Sequence, residues 1–227
     1  MLSAPSCLRD SASCRRLVSI YVMRTPHRWV RPKRQLPPGF IVPCQPTLAD
    51  KVPEGDGWIH ELKHDGFRIL AFKDGDKVRL WSRNGRDWSA EFVAITEAMR
   101  ALPFKRIMLD GEAVAHCLEG LPDFHRLLGD GQATACFYAF DLLWLEAQDV
   151  RGVELIGRRR MVQKALKKAG PALRFSEHLD AAQGEAMFRQ ACAMGLEGIV
   201  SKKLTSRYKS GACKSWLKLK NPYYVRR

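Results

Sequence analysis

The sequence predicts an α+β domain of antiparallel sheets flanked by helices, and three observations carry that prediction. Three β-favouring segments follow one another with only short turns between them, apolar residues then recur at helical spacing, and the remainder is runs of strand interspersed with a few helices. Trp58 to Lys63, Phe67 to Phe72 and Val78 to Ser82 are the first three strands, broken by the turn dipeptides Asp65-Gly66 and Asp74-Gly75. Phe92, Ile95, Met99 and Leu102 place one apolar stripe on a helix over 90–102, with Ser89 as its N-cap. Arg106 to Leu109, Glu112 to Cys117 and Cys136 to Trp144 read as further strands, with a short helix at Asp123 to Leu128. Gly157 to Ala169 and Ala181 to Met194 read as helices, the first stopped by Gly170-Pro171. Gly198 to Lys203 and Ser215 to Lys220 are the closing strands.

The 227 residues are 46% hydrophobic and 27% charged, which excludes a disordered chain, and no run approaches the ~18 apolar residues of a membrane-spanning helix. The net charge of +14 points to a polyanionic partner. That charge is uneven. Residues 1–36 carry +7, residues 201–227 carry +9 and the stretch between them −2. Seven scattered cysteines (7, 14, 44, 117, 136, 192 and 213), none spaced as C-x-x-C, argue against a disulfide framework or a zinc knuckle and fit a reducing, cytoplasmic setting. Residues 1–36 read as a basic, disordered tail; their Arg- and Ser-rich composition also fits an organelle transit sequence, and Met23 is an alternative start. Pro37-Pro38-Gly39 marks the entry to a folded domain expected over 37–222, with 223–227 as a short tail.

His60-Glu61-Leu62-Lys63-His64 satisfies H-E-x-x-H, a pattern that binds zinc only where a helix brings the two imidazoles onto one face. Here Gly55, Gly57 and Gly66 surround it and Trp58-Ile59 and Phe67 to Leu70 favour strand, so the histidines are expected to diverge. The overlapping string Lys63-x-Asp65-Gly66-x-Arg68 is chemically more informative. A lysine attacks as a nucleophile only when neutral, and at the usual lysine pKa of about 10.4 roughly one in a thousand is neutral near neutral pH. Neighbouring cations or a metal assist, and Gly66 lets backbone and phosphate approach closely. Alone, the string also describes a surface hairpin with a solvated lysine.

Five further strings follow it in order. They are Ser82-Arg83-Asn84-Gly85, Leu109-Asp110-Gly111-Glu112, Phe137 to Leu143 (FYAFDLL), Glu197 to Lys203 (EGIVSKK) and Trp216 to Lys220 (WLKLK). The series resembles the motifs of the covalent nucleotidyltransferases, namely ATP-dependent DNA ligases and their relatives the RNA ligases and mRNA capping enzymes. It spans about Pro43 to Pro222 and is most similar to the ligase domain of bacterial end-joining proteins. The resemblance implies an ATP-grasp-like nucleotidyltransferase domain in which Lys63 attacks the α-phosphate of ATP to form lysyl-AMP. It implies that Lys218 and Lys220 neutralise that phosphate and help keep Lys63 unprotonated. Glu112 and Glu197 would hold a divalent metal or the ribose, with Mg²⁺ expected and Mn²⁺ an alternative. Phe140 would stack on adenine, Glu61 would accept from its amino group, and Arg68 and Arg83 would contact ribose or phosphate.

Each residue has a plainer reading by itself. Phe140 fits a core strand, the two glutamates fit surface carboxylates, and Lys202, Lys203, Lys218 and Lys220 fit a solvated basic face. Six matches in order favour the enzyme. The expected substrate is nicked duplex DNA, the expected partner a separate end-joining or DNA-binding protein, and no membrane is involved. With seven residues after Lys220 the expected architecture has no C-terminal OB-fold. Self-adenylation is then expected to be slow, with sealing dependent on a partner or on already adenylated nicks. RNA ligation, GTP-dependent capping and a non-catalytic nucleic-acid-binding remnant are the alternatives.

Overall fold

The computed structural model describes residues 39–118 and 120–226. The tail expected over 1–36 lies outside the described residues. Two sheets form the body of the domain. The first has the order β1-β11-β10-β2-β9, from Cys44–Leu48 (β1), Gly211–Lys220 (β11), Gly198–Lys203 (β10), Trp58–Leu62 (β2) and Leu179–Asp180 (β9). The second has the order β4-β3-β5-β6-β7, from Lys77–Ser82 (β4), Phe67–Asp74 (β3), Arg106–Val114 (β5), Cys136–Leu145 (β6) and Gln148–Asp149 (β7); Leu173–Phe175 (β8) also pairs with β6. All pairings are antiparallel except β1 with β11 and β6 with β8. The α+β expectation therefore holds, with two parallel pairs added.

Side-chain alternation sorts the apolar residues into layers. Ile69, Ala71, Leu80, Leu109 and Ala139 lie on the outer face of the second sheet, packed with Phe92, Ile95 and Met99 of the α1 region (Val93–Ala101) and Val162 of α2 (Leu155–Leu166). Leu70, Met108, Leu143 and Trp144 point the other way and meet Ile59, Cys213 and Trp216 of the first sheet. Ile199 and Leu219 face α3 (Gly184–Ala193) on the far side. The order of layers is thus helices, sheet, sheet, helix, and the gap between the two sheets is where the site forms.

Several boundaries differ from the sequence expectation. Strand β1 was hidden by Pro46, which cannot donate to a ladder; it is tolerated because β1 is an edge strand whose register shifts between Pro46 and Thr47. Helix α1 starts at Val93 after Phe92, and Ser89 is not its N-cap. The Ser89 hydroxyl instead donates to Asp87 at 2.5 Å and accepts from the Leu80 backbone N–H at 2.9 Å, fastening the turn to β4. The two strands expected over 106–117 are one strand running through Asp110-Gly111. Gly111 suits that position because a Cβ there would lie 2.5 Å from the Phe137 ring and the Tyr138 carbonyl oxygen, so β6 approaches closely. The short helix near residue 125 is a 3-10 turn at His125–Leu128, and the last helix begins with another at Ala181–Gln183.

Candidate active site

The gap between the sheets holds a cavity of about 240 Å³. The first sheet contributes Glu61, Lys63, Val200, Lys202, Trp216 and Lys218 to its walls; the second sheet and its turns contribute Arg68, Arg83, Glu112 and Phe140. The cavity thus gathers seven of the nine residues singled out from sequence. Glu197 and Lys220 are not among its lining residues. Glu197 reaches the site through Lys63, whose ammonium it pairs with, and the two residues share a smaller pocket with Asp65 and Tyr224 on the other side of Lys63.

Lys63 follows β2 directly, and its backbone N–H donates to Gly198 O at 2.9 Å, so Lys63 and Glu197 sit at matched ends of paired strands. The turn after Lys63 is tight. A Cβ on Gly66 would collide with the Ala113 carbonyl and come within 3.1 Å of Glu112 Cγ. Gly66→Ala is expected to cost about 1–3 kcal/mol in urea denaturation and to displace Lys63 and Glu112 relative to one another, since overpacking against backbone has little room to relax. Asp65 is held by three bonds from the C-terminal segment. The Tyr224 hydroxyl donates at 2.7 Å, and Arg226 donates through Nε at 3.0 Å and Nη2 at 2.6 Å.

Charge in the site is concentrated and mostly paired. Arg68 makes a two-pronged pair with the buried Asp110 (2.6 and 2.7 Å), which also accepts from the Tyr208 hydroxyl at 2.7 Å. Its guanidinium lies 4.4 Å from the centre of the Phe140 ring, and the Lys202 ammonium lies 4.0 Å from that centre. Phe140 is 7% exposed, packed in the core and lining the cavity. Arg83 stands on the turn after β4 with Nη2 3.1 Å from Gln45 Oε1. Burial, and then Lys220, Lys63 and Arg83, push the Lys218 ammonium below its usual range. Lys220 lies two residues from Lys218 on β11, and strand alternation puts both on one face.

Burial pushes the Glu112 carboxyl up to about 7, with Glu197 and Asp110 adding to the rise and Arg68 and Lys63 opposing it. Glu112 and Glu197 are thus close enough to repel. Burial also opposes charge on Glu61, but Arg159 and Lys202 outweigh it and hold that carboxyl below its usual range. Among the described residues no group of three or more His, Cys, Asp or Glu is placed to hold a metal. Two carboxylates suit Mg²⁺, which keeps several waters and binds phosphate oxygens.

The H-E-x-x-H string forms no zinc site. His60 points away from the cavity, its Nδ1 2.8 Å from Ser201 Oγ and its ring against Gly184, while Glu61 faces inward and His64 stacks on Tyr138 at 4.4 Å. Burial lowers the pKa of His60, His116 and His178, and that of His64 to about 4. A histidine whose pKa is lowered by folding takes up its proton first in the unfolded chain, so stability is full above about pH 6.5 and falls as pH drops from there, for His64 down to about 4. Glu112 works in the opposite sense between about 7 and its usual value. Denaturation midpoints measured from pH 7 to 4 are expected to fall, less steeply in His64→Gln and more steeply in Glu112→Gln.

Sequence reasoning missed Arg159 and Gln45. Lys202 was grouped with Lys218 and Lys220 as phosphate-facing charge, with a solvated face as the plainer reading; it is 2% exposed and paired with Glu61. Arg159 lies in no string; a three-arginine run on an amphipathic helix was its only trace.

A cation-rich cavity between two sheets, edged by a lysine at a strand end, defines a nucleotidyltransferase-type domain. The chain belongs to the family described as ATP dependent DNA ligase domain, whose model matches residues 46–220. It is 37% identical over 188 residues to the multifunctional non-homologous end joining protein LigD of Pseudomonas aeruginosa, covering 81% of this chain and 22% of that protein. It is 36% identical over 208 residues to a probable DNA ligase of Anaeromyxobacter sp. (strain K), covering 80% of this chain and 39% of that one. The chain therefore spans well under half the length of both relatives. Among solved structures, mycobacterial DNA ligase D complexed with ATP and MES aligns with a TM-score of 0.67 at 33% identity, over 79% of this chain and 60% of that chain. The ATP-dependent DNA ligase of bacteriophage T7 in complex with ATP shares the fold, with a TM-score of 0.60 at 17% identity over 79% of this chain and 68% of that chain. Among the described residues no helix is long and apolar enough to cross a membrane.

Proposed function

We propose that the chain is a DNA ligase-type adenylyltransferase, whose Lys63 takes AMP from ATP and delivers it to the 5′-phosphate of nicked duplex DNA. The observation that supports this best is the placement of Lys63, at the rim of a cavity lined by Lys218, Arg83 and Arg68 and held there by Glu197. That arrangement suits a polyphosphate with its α-phosphate toward an amine. The Lys63 nitrogen would attack the α-phosphorus in line with the leaving pyrophosphate, forming a P–N bond and shedding its proton. Lys218, with Lys220 behind it, would offset charge building on the phosphate oxygens. Arg83 at the turn after β4 would contact ribose or phosphate, as would Arg68, oriented for it by Asp110. Glu61 and Phe140 would hold the base. Glu112 and Glu197 would hold Mg²⁺, which supplies charge neutralisation at the phosphates; its binding would displace the Glu112 proton.

The test is incubation of the 227-residue chain with Mg²⁺ and ATP or GTP labelled in the α-phosphate. Label on protein from ATP, released by acid as a P–N bond is, and passed to a 5′-phosphorylated nick on addition of DNA, is the expected result. Label from GTP in preference would favour a capping-type reaction. Transfer to nicked RNA but not DNA would favour an RNA ligase, and salt-sensitive DNA binding without label would leave only a binding module.

A further inference from the structure

Outside the six strings, one buried side chain touches both groups expected to hold the base. Arg159, on α2, is 2% exposed. Its Nη1 donates to Glu61 Oε1 at 2.5 Å and to the Phe140 carbonyl at 3.3 Å, and its Nη2 donates to the Ser176 carbonyl at 2.6 Å. Nη2 also lies 2.9 Å from His178 Nδ1, and the guanidinium sits 4.6 Å from the centre of the Phe175 ring. One rigid fork thus spans strand β2, strand β6 and the 176–178 loop. The Lys202 ammonium meets the same Glu61 Oε1 at 2.8 Å, and the Ser176 hydroxyl donates to Oε2 at 3.2 Å.

The consequence is chemical. A carboxylate held ionised has only acceptor capacity, and with Oε1 taken by two cations its unused lone pair is on Oε2. A group that can only accept rewards a ligand N–H and leaves a ligand carbonyl facing an unpaired negative charge. Adenine carries an amino group at position 6, whereas hypoxanthine and guanine carry an oxygen there.

We propose that Arg159 is the positioning residue for base selection: by fixing the Glu61 carboxylate as an acceptor and tying it to the Phe140 backbone, it makes the cavity prefer a 6-amino purine over a 6-oxo purine. This rests on the nucleotide reading of the cavity given above. The groups facing Glu61 are Arg159 from α2, Lys202 from β10, His64 from the turn after β2, and Ser176 and His178 from the loop after β8. Removing Arg159 deletes a cation paired with the carboxylate and leaves Glu61 freer to protonate and rotate. A protonated Glu61 donates as well as accepts, and it then tolerates the 6-oxo group.

The probes are ATP and ITP, whose bases differ in carrying an amino or an oxo group at position 6 and, with the oxo group, a proton on N1. Equilibrium binding of each is measured with the full chain and with Arg159→Met and Arg159→Lys, from pH 6 to 8, alongside lysine labelling from the α-labelled nucleotides. Wild type is expected to favour ATP at every pH. Arg159→Met is expected to lose at least about tenfold of that preference, more so at pH 6, through weaker ATP binding with little change in the rate of labelling at saturation. Arg159→Lys is expected to recover part of the preference, since it restores the charge without the fork. Folding is followed by thermal denaturation; should the methionine variant not fold, the lysine variant and the pH dependence decide. Equal loss of ATP and ITP binding in a folded variant would mark Arg159 as structural only and overturn the proposal, as would an unchanged preference. Absence of label from wild type, with the ATP preference intact and dependent on Arg159, would overturn adenylyl transfer and leave the inference standing.

Discussion

Lys63→Ala is expected to abolish nucleotide labelling of the protein, to below about a thousandth of the wild-type rate, while the variant stays folded and binds ATP. The other two lysines lining the cavity are placed differently. Lys202 is buried against Glu61, Phe140 and Trp216, and Lys218 lies two strands from β2 in the same sheet, on β11. Lys63 is 22% exposed at its side chain and its partner Glu197 only 8%, so Lys63→Ala also leaves a largely buried carboxylate without its cation, and thermal denaturation is followed beside labelling. Lys63→Arg is expected to fail equally, because a guanidinium keeps its proton and charge but is no nucleophile. Nucleotide binding, measured beside labelling, separates loss of chemistry from loss of the site. Residual label in Lys63→Ala would move the nucleophile elsewhere.

Arg158→Met is expected to be the most destabilising single change in the domain, at about 3–5 kcal/mol in urea denaturation. Arg158 and Asp141 are both completely buried, and their bonds are two-pronged, Nε to Oδ1 at 2.6 Å and Nη2 to Oδ2 at 2.8 Å. The remaining nitrogen, Nη1, donates to the Val153 and Ser206 carbonyls, so one guanidinium ties β6, the entry to α2 and the loop after β10 together. Removing the arginine strands the Asp141 carboxylate in the core with only the Leu142 N–H, at 2.8 Å, still donating to it. Changing both residues to apolar ones of similar size, Arg158→Met with Asp141→Leu, is expected to recover much of the loss, because it is the unpaired charge that is costly. A double variant no more stable than the single one would show that the carbonyl bonds of Nη1 matter more than the ion pair.

The strings that carry chemistry were legible because each is local. Lys63, Asp65, Gly66 and Arg68 form one strand-turn-strand unit, and Glu197 to Lys202 and Trp216 to Lys220 are adjacent antiparallel strands whose alternation assigns every second side chain to one face. What sequence reading placed less well was also local in cause. Pro46 masked an edge strand, Ser89 had a better partner in Asp87 than a helix end, and Gly111 looked like a break although it marks close packing.

Sequence by itself determined the α+β class of the domain, from side-chain periodicity, and singled out Lys63 and most of the cations that the structure gathers around one cavity. Only the tertiary structure decided which charges are spent on one another. Arg159 meets Glu61 across 98 positions of chain, Tyr208 meets Asp110 across 98 and Tyr224 meets Asp65 across 159. A buried charge is stable only where the fold brings it a partner. Partners so distant leave no mark in local pattern, so Arg159 beside Glu61 and the C-terminal clamp on the Lys63 turn emerge only in the folded chain.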